Sequence, residues 1–466
     1  MTLRPDEIAE IAASAPNPGA TIAIVTQTIR KDLRFARTEV TTNSDTRARE
    51  ATIIAFREVP GGIATASITH RCTTRLELTE MINQAHHTAS QLPASIDAYP
   101  LIEIAPRRSA EDNALNVAVE DFVVDAAHIP TDELGAMFRS ARGRNIQLFG
   151  YGEVVFERTL MSSTTGLMRS GFSSHGRFEV TAKSGDGGRS SWWGYSGADL
   201  TDIPASTGWQ KLQVDLAKQE RSVGVKPGRH NVILSESAVG DLMVDLWWHA
   251  QAPDAFDGRS VFSGPHGGTL LGTVVADPRI SLRSDPHHPI VPASPLHTVT
   301  SSSPHASVFD NGAGLEAQDW IKAGCLESLM CSRAFAADRG IPFSASADTL
   351  ALSVDGGAGD LSDIVSRTED GLLITCLWYN RIVDPRTLLL TGLTRDGVYL
   401  VKDGEVLGSV GNFRFNDSPL GILNRVIDAG ETVRCLPREM GDYAPRVAMP
   451  ALVVEDFNLS TSSEAI

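Results

Sequence analysis

The feature that most constrains this chain is the order of its first hundred residues, four Val/Ile/Thr-rich segments followed by one amphipathic stretch. Thr21 to Ile29, Leu33 to Thr41, Ala51 to Val59 and Ile63 to Thr69 read as strands, and Pro60-Gly61-Gly62 supplies the turn between the last two. Such a sheet leaves a face to be covered. The stretch Thr74 to Leu92 supplies the cover, because Leu78, Met81, Ile82, Ala85, Ala89 and Leu92 recur on one helical face. A short helix over Pro5 to Ser14 precedes them, with Pro5 at the first helical position, acidic Asp6 and Glu7 in the first turn, and Ile8, Ile11 and Ala12 at helical spacing. The predicted unit is an α/β sandwich module over residues 1–103, an ordinary domain size.

The polar stretch Pro106 to Ala114 reads as a linker. Residues 115–225 form a predicted middle, β-containing module: an acidic helix over Thr131 to Arg142, strands over Ile146 to Glu157 and Arg177 to Ala182, and a Gly/Ser turn over Ser184 to Ser191. Residues 226–466 read as a β-rich C-terminal domain. Its clearest unit is the hairpin Gly397–Val401 and Val406–Val410 around Asp403-Gly404, followed by a helix start at Asp417-Ser418-Pro419 that leads into Leu420 to Ile427. The tail from Leu459 to Ile466 is small and polar and is expected to fray. The fold class is therefore α+β.

Charge and cysteine content narrow the functional classes. The net charge of −16, with Lys and Arg spread thinly, disfavours a nucleic-acid partner. No run approaches the roughly twenty apolar residues that a membrane-crossing helix needs. Five scattered cysteines (Cys72, Cys325, Cys331, Cys376, Cys435), without a C-x-x-C pair or a secretory leader, point to a reducing cytoplasm.

The segment Asn231 to Ala250 carries the chemistry. After the apolar Val232-Ile233-Leu234, Ser235 caps a predicted helix and Glu236 suits its positive end. Ala238, Val239, Leu242, Met243, Leu246 and Trp247 make an apolar stripe, and Pro253 stops the helix. Asp241, Asp245 and His249 follow one another at one-turn spacing on the other face, where an acid and a base four residues apart are expected to form a solvated ion pair.

This segment resembles the TldD/PmbA family, which contains catalytic chains and partner chains of a type called TldE. Catalytic members carry H-E-x-x-x-H after a V-I-L strand; its histidines bind zinc, its glutamate acts as general base, and a further ligand comes from near the C-terminus. Laid from Val232-Ile233-Leu234 through Gly240 to Ser260-Val261-Phe262-Ser263-Gly264, the motif falls on Val244 to His249. Val244 stands for the first histidine, Asp245 for the glutamate, and His249 keeps the last histidine. Zinc catalysis needs three protein ligands and an open position; valine has no lone pair, and Asp245 is one methylene shorter than the general base it replaces. Trp247 and Trp248 add bulk where catalytic members have small residues. Cys435 lies near the family's C-terminal cysteine ligand, at a spacing that does not carry the role over. The resemblance extends over Tyr195 to Pro204, Ser307 to Gly312, Leu373 to Tyr379, Asp384 to Gly392 and Gly441 to Asn458, nearly the whole chain.

The resemblance implies a heterodimer with a TldD-like catalytic subunit that holds the zinc. This chain would complete a cavity for small or unfolded peptides and contribute neither catalytic residue, metal nor cofactor. Two rivals stand beside it. The chain is itself a divergent metallopeptidase using Asp245, His249 and either Cys435 or a loop histidine such as His287, His288, His297 or His305, or it is a stand-alone peptide-binding protein. The remaining candidates have plainer readings: His86 and His87 as surface or hydrogen-bonded residues, Cys325 and Cys331 as packing, and the pairs Trp247-Trp248 and Trp378-Tyr379 as either core or interface anchors.

Overall fold

The computed structural model describes residues 3–15, 19–71, 74–103 and 129–463. Cys72, the predicted linker Pro106 to Ala114, residues 115–128 and the last three residues of the tail lie outside the described residues. The architecture is mixed α+β and strand-rich.

Strands β1 (Ala20–Ala36), β2 (Glu39–Val59), β3 (Gly62–His70), β4 (Ile146–Ser163), β5 (Met168–Ser184) and β6 (Ser190–Gly197) form one sheet in the order β3-β2-β1-β4-β5-β6. Segments expected as the first and middle modules thus share a single sheet, because β1 pairs with β2 along one edge and with β4 along the other. That double pairing also explains why two predicted strands, Thr21 to Ile29 and Leu33 to Thr41, are replaced by a continuous β1. The polar Arg30-Lys31-Asp32 stays in the ladder, where Arg30 Nε donates to Glu153 on β4 at 2.8 Å, and the chain reverses at Arg37-Thr38, both at positive φ. Helices α1 (Pro5–Ala13) and α2 (Arg75–Ala89) cover one face. The α2 helix begins with a capping box between Thr74 and Glu77, and it buries Leu78, Met81, Ile82, Ala85 and Ala89 as predicted. Leu92 lies beyond its end and is exposed. Helices α3 (Thr131–Gly143) and α4 (Ala205–Lys218) cover the β4–β6 part through Leu134, Phe138, Trp209 and Leu212.

The C-terminal half holds two further sheets. One has the order β10 (Cys325–Leu326), β9 (Gln318–Lys322), β8 (Ile280–Ser284), β11 (Leu350–Val354), β18 (Val447–Met449) and β17 (Val433–Cys435). The other runs β12 (Asp370–Asp384), β7 (Gly228–Leu234), β19 (Leu452–Ser463), β15 (Asn412–Asp417), β13 (Leu389–Lys402) and β14 (Glu405–Ser409), with β16 (Val426–Ala429) on β19. Because β12 also pairs with β13, five of these strands close into a ring. The predicted hairpin is β13–β14, and its turn residues Asp403 and Gly404 both take positive φ, as the twist of a tight hairpin requires. Two expectations need correction. The helix after Ser418 ends at Leu423, since Val426 to Ala429 pair with β19, and the tail is ordered to Ser463, held by the pairing of Asn412 to Arg414 with Thr461 to Ser463.

Candidate functional site

Strand β7 runs through the middle of its sheet, so Val232, Ile233 and Leu234 are fully buried and fix where the next helix, α5 (Glu236–Trp248), starts. Ser235 forms the cap: its Oγ accepts from Ala238 N at 3.3 Å and donates to the Thr375 carbonyl at 2.5 Å. The apolar stripe packs into the largest core cluster of the chain, with residues of β7, β12 and β18. Val244 belongs to that core and is wholly buried.

The expected solvent face of α5 is buried too, beneath the loop that joins β17 to β18. Gly240 permits this close approach, because a Cβ there would stand 3.0 Å from Pro437 Cγ. Asp241 is fully buried, and its carboxylate accepts the backbone N–H groups of Arg438, Glu439 and Met440 at 3.3, 3.0 and 3.0 Å. Burial pushes its pKa well up, while the N–H donors from Met440 and Glu439 pull the other way. One turn on, Asp245 is 6% exposed, and its Oδ2 has no hydrogen-bond partner. Burial, reinforced by the neighbouring Glu439 carboxylate and only partly relieved by Arg381, pushes the Asp245 carboxyl up to about 7. Glu439 in turn accepts from Asn380 N at 2.7 Å and Arg381 Nη1 at 2.9 Å.

The solvated ion pair expected between Asp245 and His249 does not form. His249 caps the C-terminal end of α5, and its Nδ1–H donates to the Asp245 backbone carbonyl at 2.7 Å, which leaves Nε2 as its acceptor nitrogen. The two tryptophans part company: Trp247 is buried in the core, whereas Trp248 is 36% exposed and meets Tyr443 edge-on at 5.6 Å. Cys435 lies at the other end of the helix. Its thiol is pushed well up by burial and donates to the Glu236 carbonyl at 3.4 Å. Nine residues separate Glu236 from Asp245, about 13 Å along a helix, so Cys435 cannot join Asp245 and His249 around one ion.

The loop histidines do not converge. His287 and His305 are exposed, and His288 Nδ1 accepts from Ile290 N at 3.3 Å. His297 is half-buried beside Phe343, with its pKa lowered to about 4 by desolvation and the Arg333 charge. Among the described residues, no three His, Cys, Asp or Glu side chains gather where they could hold a metal ion. His86 is buried with Nε2 at 2.8 Å from Thr21 Oγ1, while its Nδ1 has no hydrogen-bond partner among the described residues. Cys331 is packed and donates weakly to the Pro342 carbonyl, and Cys325, Cys331, Cys376 and Cys435 are free thiols.

Sequence reasoning missed the loop over residues 436–443, which ties α5 to the first sheet. Arg438 lies between Trp192 and Trp378, 5.1 and 5.3 Å from their ring centres, and pairs with Asp396 at 2.8 Å. Asp442 pairs with Arg177 of β5, whose Nε is 2.9 Å from Glu153 Oε1. Against the upward push of burial, His175, Tyr151, Arg177 and Arg30 hold the Glu153 carboxyl well below the usual range. Tyr379, 58% exposed and at positive φ, marks a bulge where β12 breaks register beside Asn380 and Arg381. No local pattern announces these residues, because their partners stand far off in the chain. Among the described residues no helix is long and apolar enough to cross a membrane.

Residues 227–461 match a family model described as the PmbA/TldA metallopeptidase C-terminal domain. Among solved structures, TldE from Thermococcus kodakarensis is similar over 94% of this chain and 96% of its own, with 15% identity and a TM-score of 0.73. A protein from Thermotoga maritima described as a candidate modulator of a DNA gyrase is similar over 97% and 99%, with 15% identity and a TM-score of 0.74. One so described from Bacteroides thetaiotaomicron gives 97% and 98%, 14% identity and 0.73. At these identities the likeness is one of fold. No curated protein matches the chain.

Proposed function

The chain belongs to the PmbA/TldD metallopeptidase family, and we propose that it is a partner-type, non-catalytic subunit. In this reading a TldD-type chain brings the zinc, the general base and the hydrolysis. The present chain completes the enclosure in which small or unfolded peptides are cut, and it works in the cytoplasm.

One observation carries the reading. At the position where the resemblance places the first zinc-binding histidine stands Val244, sunk into the core with no lone pair to offer. The rest of the motif fits a metal no better. Asp245 is 6% exposed beneath the loop and is one methylene shorter than the glutamate whose position it takes. His249 keeps one free nitrogen, and a single imidazole does not make a zinc site. The thiol of Cys435 faces the far end of the same helix.

The loop and bulge that replace metal chemistry here suit a supporting role. Asp241, Glu439 and Arg438 hold the 436–443 segment rigidly, so that Trp248, Tyr443 and Tyr379 reach the surface from one anchored platform. Exposed aromatics on a rigid support are the kind of residue that anchors an interface. Co-expression with the H-E-x-x-x-H relative from the same genome tests the proposal. The two chains should co-purify, and chelator-sensitive peptidase activity should appear with the pair. Peptide cleavage by the present chain alone overturns the assignment.

A further inference from the structure

A cavity of about 280 Å³ opens at the first turn of α5, the opposite end of that helix from His249. Its floor is the start of the helix, Ser235 to Ser237, and its walls come from β6, α4 and β17. Strands β6 and β17 are each the last strand of their sheets, so two sheet edges flank the opening.

The first backbone N–H groups of a helix have no partner within it and carry the positive end of its dipole. In α5 the Ser235 cap takes only the N–H of Ala238. Ser237 lines the cavity, is only 9% exposed, and its Oγ has no hydrogen-bond partner. A buried hydroxyl left open at a helix start is costly unless something completes it. Two cations share the lining. Lys211 Nζ bonds Asp215 at 2.5 Å, and Arg434 Nε donates to the Ile290 carbonyl at 2.9 Å, so each retains further N–H donors. The acidic member of the lining is Glu236. Burial raises its pKa, while its own backbone N–H and the charge of Lys211 pull the other way. Trp192 and Trp193 make the apolar wall.

We propose that this cavity binds a small carboxylate ligand with an apolar body, of amino-acid to dipeptide size. The carboxylate sits at the first turn of α5, hydrogen-bonded by Ser237 Oγ and attracted by Lys211 and Arg434, while the apolar body lies against Trp192 and Trp193. This inference does not depend on the proposed subunit role, and its test needs neither metal nor partner.

The test is calorimetric titration of the purified full chain with N-acetyl-leucine, N-acetyl-leucinamide and acetate, followed in parallel by tryptophan fluorescence, since two indoles line the cavity. N-acetyl-leucine should bind saturably with a fluorescence change, its amide at least ten-fold more weakly, and acetate more weakly than the full acid. Ser237→Ala, checked for native circular dichroism, should weaken the acid about ten-fold or more, as loss of a hydrogen bond to a charged acceptor does. Absence of saturable binding to the folded wild-type chain overturns the proposal, as does equal affinity for acid and amide. These wild-type comparisons decide the matter even if the variant fails to fold; a folded Ser237→Ala that binds the acid as tightly as wild type also counts against it.

Discussion

Replacing Asp245 by asparagine should stabilise this protein at neutral and alkaline pH and leave it almost unchanged in acid. The side chain is buried, its Oδ2 lacks a partner, and its pKa rises from 3.8 to about 7 under the combined effect of burial and the Glu439 carboxylate. In the unfolded chain the same group ionises near its ordinary value. Below that value both states hold the proton and Asp245 costs nothing. Between roughly pH 4 and 7 only the unfolded chain releases it, so stability drains away as pH rises. Above 7 the full penalty is in place. A shift of about three units at about 1.36 kcal/mol each amounts to some 4 kcal/mol. Asparagine has no such titration and is nearly isosteric. Urea unfolding of wild type and Asp245→Asn should therefore show a gain of about 2–4 kcal/mol for the variant at pH 8, shrinking to about 1 kcal/mol at pH 4.5. Other buried acids, Asp241 and Glu236 among them, are common to both proteins and drop out of the difference. The opposite pattern, a variant less stable at pH 8 whose deficit closes on acidification, belongs to an ionised, paired carboxylate. That result would refute the description of this site.

Asp241→Ala strips three backbone N–H groups of their acceptor in a buried setting and should cost about 3–5 kcal/mol, with hydrogen exchange at Arg438, Glu439 and Met440 accelerating well beyond that of the β12 amides. Protection unchanged in the loop would contradict its dependence on α5. Glu153→Gln removes the negative centre of the Arg30–Arg177–Tyr151 cluster and should cost about 3 kcal/mol or more at pH 7. Because the folded pKa of Glu153 is depressed, the benefit it brings is present above the ordinary glutamate range and is lost as pH falls, so the gap between the two proteins should narrow steadily on acidification below that range.

Much of the local structure could be read from residue order. The capped helix over Thr74 to Ala89, the Ser235 cap, the β13–β14 hairpin and the apolar stripe of α5 all follow from patterns a few residues long. What the patterns could not give was the environment of the polar face. Helical spacing says that Asp241, Asp245 and His249 share one side; it does not say that a loop almost two hundred residues later will lie over that side and supply the N–H groups that Asp241 accepts. The expected ion pair failed for the same reason, since Asp245 is buried beneath that loop while His249, at the helix end, turns its Nδ1–H to the Asp245 backbone carbonyl. The long β1 escaped notice because a charged tripeptide mid-strand looks like a turn until its cross-strand partner, Glu153, is known. Resemblance to a family placed Val244, Asp245 and His249 in a motif; that Val244 is core and that Cys435 faces the other end of the helix follows only from the tertiary fold.

The central claim is that this chain cannot hold a catalytic zinc ion by itself. Metal analysis by plasma mass spectrometry, on the chain purified alone and on the complex with its TldD-type relative after equal zinc loading and desalting, addresses it directly. The account predicts well under a tenth of a zinc ion per chain for the isolated protein and about one per complex. One tightly held zinc per isolated chain, lost on His249→Ala or Asp245→Ala, would contradict it.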